Sequence, residues 1–124
     1  MRRPSARLAE GIVTHIARAT VDVGLAEQQW ASYVDALREF GWQVHEVPQL
    51  ESAPDSVFIE DTVVMFDNVA VVTRPGDDRR KPEVVAVETV VRDLGCRVEH
   101  IIAPGTLDGG DVLKVGNTVY VGIG

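Results

Sequence analysis

Cysteine is almost absent. The 124 residues hold one, Cys96, which excludes an intramolecular disulfide and makes any zinc site depend on histidines converging from distant segments. The expectation is a chain without structural metal. Basic residues are also outnumbered, 12 Lys and Arg against 19 Asp and Glu, for a formal net charge of -7. That balance repels a phosphate backbone and leaves no basic stripe for nucleic acid, so the partners to expect are small or cationic. No apolar run approaches the roughly 20 residues that a membrane span needs. The Met-Arg-Arg-Pro start lacks the apolar core of a signal peptide, and the expectation is a cytoplasmic protein with no membrane partner. No Gly-x-Gly-x-x-Gly follows a strand-like segment, which counts against a parallel dinucleotide-binding sheet.

What the chain does have is 45% apolar residues, enough for a packed core, and its length predicts a single domain over 1–124. Trp30, Tyr33, Val34, Ala36 and Leu37 recur at helical steps, so about Leu25 to Phe40 reads as an amphipathic helix closed by Gly41. Trp42 to Val47 alternates like a half-buried strand, and Pro48 to Pro54 is turn-rich loop. Val57 to Phe66 and Val69 to Thr73 are rich in β-branched residues and flank Asp67-Asn68, a dipeptide suited to a hairpin turn.

The order then starts over. Val84, Val87, Val91 and Leu94 make a second helical stripe, Gly95 closes it, and Arg97 to Ile102 is strand-like. Arg-Glu-Phe-Gly-Trp-Gln-Val at 38–44 matches Arg-Asp-Leu-Gly-Cys-Arg-Val at 92–98, Asp61 corresponds to Asp111, and Asn68 to Asn117. Self-similarity over roughly 25–74 and 82–122 signals stacked or radially arranged α/β units, none of which buries a core alone. With an opening strand from Ile12 to Ala17, this predicts two units plus one strand; a two-layer α/β sandwich is the plainer alternative.

Three polar clusters stand out. In Pro54-Asp55-Ser-Val-Phe-Ile-Glu60-Asp61, carboxylates sit in or beside an apolar strand, where they cost several kcal/mol unless a cation or hydrogen-bond donors meet them. The cation is either a ligand or an arginine of the fold, and strand alternation would send Glu60 and Asp61 to opposite faces. Thr106-Leu-Asp108-Gly-Gly-Asp111 is a glycine-rich acidic turn whose backbone a ligand can approach closely. It is too poor in alternating oxygen ligands for a calcium loop. Asp77-Asp-Arg79-Arg80-Lys81 is either a solvated loop or the place where an arginine grips a carboxylate in a two-pronged fork. His15, His45 and His100 are scattered, and Cys96 follows a helix-closing glycine where Trp42 stands in the first unit. A buried inert thiol is the reading, with no catalytic role for Cys96.

Together, Pro-Asp-Ser-Val-Phe-Ile-Glu-Asp at 54–61, Val-Thr-Arg-Pro-Gly at 72–76, Arg-Arg at 79–80 and Leu-Asp-Gly-Gly-Asp-Val at 107–112 resemble the dimethylarginine dimethylaminohydrolase family. The resemblance implies part of a five-bladed α/β propeller, the pentein fold, with about two ββαβ-type modules plus an extra strand. It implies that Leu25, Asp55, Glu60, Asp61 and Arg79 bind substrate. The acids would take the cationic end and amine of a methylated arginine, and Arg79 its carboxylate. It implies that Asp108 is the acidic member of a Cys-His-acid set whose cysteine and histidine come from later modules, so that this chain alone would be incomplete as a catalyst. No cofactor is implied. Relatives in the same superfamily, an arginine deiminase or an amidinotransferase, share the guanidine chemistry, and a non-catalytic arginine-binding module is the alternative from another class. Open modules with unpaired strand edges predict a homo-oligomer.

Overall fold

The structure, a computed structural model, describes residues 1–14 and 17–123. It falls into two compact units, Met1–Val57 and Phe58–Gly124.

The first unit is built on α1 (Val23–Glu39), which buries Trp30 and Val34 at the four-residue step that the sequence pattern requires. Asp22 caps it: the Asp22 side chain accepts from the Leu25 amide at 2.9 Å. At the other end Gly41 takes φ 83°, Gly41 N–H donates to Arg38 O, and Trp42 N–H donates to Leu37 O. That pair of bonds satisfies the last carbonyls of the helix in the manner that glycine, free of a Cβ, permits best.

The expected strand from Trp42 to Val47 is not formed. Among the described residues only Val47 pairs, in an isolated parallel bridge with Arg2, and Trp42 is exposed. Alternation supplies a face, but a ladder needs a neighbour, and among the described residues the neighbour is the chain start: Val47 N–H donates to Met1 O and the Met1 amine to His45 O. The buried Arg2 then reaches Pro48 O and Ser56 O, tying the chain start to the loop after Val47. Of the opening strand expected over Ile12–Ala17, Ile12, Val13, Thr14 and Ala17 lie in no strand. His15 and the residue after it lie outside the described residues.

The second unit begins with a 3-10 helix (Ile59–Thr62) and the hairpin β1 (Val63–Phe66) and β2 (Val69–Val72). A second 3-10 turn (Lys81–Glu83) leads into α2 (Val84–Asp93), and β3 (Arg97–His100) follows. β2 pairs antiparallel with β1 and parallel with β3, giving a three-stranded sheet in the order β1-β2-β3. This is one ββαβ module, with α2 burying Val87 and Val91 and β2 burying Ala70 and Val72. Each valine removed from water in this way contributes about 1.5–2 kcal/mol. A further 3-10 helix (Gly109–Asp111) and a hairpin, β4 (Val112–Val115) and β5 (Thr118–Val121), repeat the opening of the unit. The hairpins turn on Asp67-Asn68 and Gly116-Asn117, with φ 54° at Asp67 and 57° at Gly116. The architecture is therefore mixed α/β, with short strands in small sheets. No helix among the described residues is long and apolar enough to cross a membrane.

The strand expected from Val57 to Phe66 is half turn. Thr62 Oγ1–H donates to Ile59 O at 2.6 Å and Asp61 N–H to Phe58 O at 3.2 Å, so the chain coils over Ile59–Thr62 and extends only from Val63. Glu60 and Asp61 consequently sit on a tight turn rather than on alternating faces of a strand.

Candidate functional site

The polar residues singled out from the sequence divide between the two units. In the first, Asp55 is buried, and its Oδ2 accepts from the Ile12 amide at 2.9 Å. Gly11 makes that approach possible, because a Cβ on Gly11 would lie 2.5 Å from Asp55 Oδ1. Arg18 closes the same stretch by donating to Ala9 O and Gly11 O at 2.6 and 2.7 Å. Leu25 lies in the first turn of α1 with its side chain 50% exposed.

In the second unit the centre is Asp61. Its Oδ2 accepts from Arg80 Nη1 at 2.7 Å and its Oδ1 from the Gly110 amide at 3.0 Å. Arg80 is in turn held by Glu83, Nε to Oε1 at 3.2 Å and Nη2 to Oε2 at 2.9 Å, the two-pronged geometry that guanidinium and carboxylate share. Glu83 is only 1% exposed, so a carboxylate has been taken almost wholly out of water with a guanidinium against it. Burial alone would lower the Arg80 pKa, but the hydrogen bonds that Arg80 donates to Glu83 and Asp61 outweigh it and the net shift is upward. Of the two readings open for the acids, a ligand or an arginine of the fold, the fold supplies an arginine to Asp61. Glu60, next to it, is exposed.

The glycines of Leu-Asp-Gly-Gly-Asp serve the same contact. A Cβ on Gly109 would lie 2.1 Å from the Glu60 carbonyl oxygen, and one on Gly110 2.6 Å from Asp61 Oδ1. What comes close to these glycines is the backbone and side chain of the Ile59–Thr62 turn. Asp108, directly before them, points back to the other loop, where its Oδ2 accepts from the Gly76 amide at 3.3 Å. Leu107 N–H donates to Arg74 O alongside. Asp61, Asp108 and the loop from Arg74 to Arg80 are thus brought together by turn-to-turn packing.

Arg79 and Arg80 part company. Arg79, 71% exposed at its side chain, folds back on Asp77, with Nη2 to Oδ2 at 2.6 Å and Nε to Oδ1 at 3.0 Å. Hydrogen bonds from the Arg79 side chain and backbone hold the Asp77 carboxyl down to about 2 from its ordinary 3.8. Because the folded value lies below that of the unfolded chain, any stability from the pair is full above pH 3.8 and is lost as pH falls toward 2. A carboxyl-carbon NMR titration should put the Asp77 midpoint near 2, and Arg79→Ala should return it to the ordinary range. A midpoint that stays low in that variant would assign the shift to another cause.

Sequence reasoning missed Glu83 and the work of Arg80. The available signal was Arg80 and Glu83 three residues apart at a helix start, a spacing that brings side chains together. Cys96 is half-buried behind Gly95, in the position that Trp42 holds behind Gly41. Its amide donates to Val91 O. His100 Nε2 lies 3.0 Å from Glu88 Oε2 on an exposed face. No group of three or more His, Cys, Asp or Glu side chains able to hold a metal ion occurs among the described residues.

No family model matches the sequence. Over all 124 residues the chain is 57% identical to an N(G),N(G)-dimethylarginine dimethylaminohydrolase of Streptomyces coelicolor, of which it covers 48%. It is 37% identical over 123 residues to the protein of the same name from Pseudomonas aeruginosa, again covering 48%. The solved structure of the Pseudomonas aeruginosa protein, a cysteine-to-serine mutant complexed with citrulline, matches 97% of this chain with a TM-score of 0.89 at 35% identity, and 47% of that chain is covered. The N-terminal domain of an arginine dihydrolase from cyanobacteria matches all of this chain with a TM-score of 0.88 at 18% identity, which speaks to the fold alone; 47% of it is covered. The chain spans about half the length of the curated relatives it matches.

Proposed function

Because the chain is homologous along its whole length to the dimethylarginine dimethylaminohydrolase family, we propose that it carries the guanidinium-reading half of a hydrolase acting on N-omega-methylated arginine. In this reading Glu60 and Asp61 take the cationic end and the amine of the substrate and Arg79 exchanges Asp77 for the substrate carboxylate, while Asp55 and Leu25 of the first unit are substrate-binding residues by family resemblance alone. The observation that carries it is the Asp61 carboxylate, held from two sides by Arg80 and by the Gly110 amide. A side chain fixed in this way is pre-organised for a ligand that must be read by direction as well as by charge.

The proposed reaction is attack of a cysteine thiolate on the guanidinium carbon, departure of dimethylamine with a proton delivered by a histidine, and addition of water to the resulting thiouronium to release citrulline and the thiolate. In this reading Asp108 orients that histidine, and the histidine and the cysteine would come from the part of the relatives' length that this chain does not match. The chain then forms part of a five-bladed α/β propeller acting in the cytoplasm. The test is citrulline release from asymmetric dimethylarginine, first by the chain alone and then with the remaining half of the Streptomyces coelicolor relative added as a separate polypeptide. No product alone and product on mixing supports the reading. Turnover by the chain alone would mean that Cys96 or another of its own groups is the nucleophile, and no turnover in either case would overturn the assignment.

A further inference from the structure

We propose that Arg80 and Glu83 are positioning residues for Asp61, and that Glu83 also keeps the cluster net negative so that Asp61 remains attractive to a cationic ligand. The second half of this proposal rests on the guanidinium-binding reading above; the first does not.

Three side chains form one chain of contacts. Glu83 grips Arg80 through Nε and Nη2, Arg80 Nη2 also lies 3.5 Å from Phe58 O, and Arg80 Nη1 donates to Asp61 Oδ2. The Phe58 carbonyl and Asp61 belong to one turn, so Arg80 reads that turn at two points. Since guanidinium is planar, fixing one edge on Glu83 fixes the direction in which the remaining nitrogen points. The Gly110 amide holds the other Asp61 oxygen, so the plane of the carboxylate is set by donors from two separate segments. Glu83, 1% exposed, is too deeply buried to touch a ligand, and it bears on Asp61 through Arg80.

The charges explain why Glu83 is needed. Arg80 beside Asp61 by itself makes a neutral pair, and a neutral pair attracts a guanidinium weakly. A second carboxylate on the far side of Arg80 restores one negative charge to the cluster, and in a site of low dielectric that charge acts at several ångströms. Glu83→Gln keeps the shape and removes the charge.

The test compares Glu83→Gln with the unaltered chain in two measurements. The first follows the Arg80 Nε–H and Gly110 amide signals by NMR. The second measures calorimetric binding of asymmetric dimethylarginine and of citrulline, its uncharged counterpart. We expect both signals to shift, the Gly110 amide to exchange faster, and affinity for dimethylarginine to fall about tenfold while that for citrulline stays within twofold, as loss of one nearby charge requires. An equal loss for both ligands would reduce Glu83 to a packing role and overturn the charge argument. Unmoved Arg80 and Gly110 signals would overturn the positioning argument. If the unaltered chain binds neither ligand, the guanidinium reading and the charge argument fall together, and the two NMR signals still decide positioning. Should Glu83→Gln fail to fold, Glu83→Asp decides: it keeps the charge and shortens the arm, so the Gly110 signal must move while the preference for dimethylarginine over citrulline persists. Any other result rejects the proposal.

Discussion

Replacing Arg80 with methionine should destabilise the chain by about 3 kcal/mol or more in urea unfolding followed by circular dichroism, an effect far larger than a surface arginine commands. The cost arises from what remains: Glu83 stays out of water without the guanidinium that meets both its oxygens, and Asp61 loses its shortest contact. Breaking one side of a buried pair leaves an undercompensated charge, whereas removing the charges together does not. Arg80→Met combined with Glu83→Leu should therefore cost less than Arg80→Met alone, and a double variant weaker than the single one would refute this account. Arg79→Met, one residue away, should change stability by less than about 0.5 kcal/mol, because its pairing with Asp77 is exposed to solvent and screened by it.

Gly109→Ala is expected to be of comparable severity, about 2–3 kcal/mol by the same measurement. The intruding methyl would meet the Glu60 carbonyl, a backbone atom that cannot rotate away, so the Ile59–Thr62 turn itself has to move. Gly110→Ala meets the Asp61 side chain instead, which can swing aside, and should cost less stability while loosening the Asp61 contact. Gly76→Ala is the control, since the nearest atom to its new Cβ would be Asp108 Oδ2 at an ordinary 3.7 Å, and it should be close to neutral. If Gly109→Ala were as mild as Gly76→Ala, the close approach of the two turns would not be a feature of the folded protein.

The elements that the sequence made plain are those whose signals are local. Both helices end on a glycine with positive φ, at Gly41 and Gly95, and each follows a stripe of apolar residues at helical spacing. The first hairpin turns where Asp67-Asn68 predicted it. The elements that misled are those decided by distant partners. Val57 to Phe66 has the β-branched content of a strand throughout, yet Thr62 turns back on Ile59 and Arg80 fastens the coil from 19 residues away. Trp42 to Val47 alternates as a strand should, and among the described residues it pairs only through the Arg2–Val47 bridge. In the site, the residue types were legible and their partners were not. Asp61 stood out as an acid in apolar company, but Arg79 and Arg80 stand four and three residues before Glu83, both helical-neighbour spacings, and it takes the fold to put Arg79 on Asp77 in the open and Arg80 on Asp61 and Glu83 under cover. The double glycine was read as room for a ligand, and the group that comes close to it is another turn of the same chain.

Because β3 comes after α2 yet bonds in parallel to β2, the strand after the helix completes the sheet begun by the hairpin before it. A chain cut between α2 and β3 would strip one edge of β2 of its partner and leave a row of unbonded N–H and C=O groups, a template for pairing with another chain.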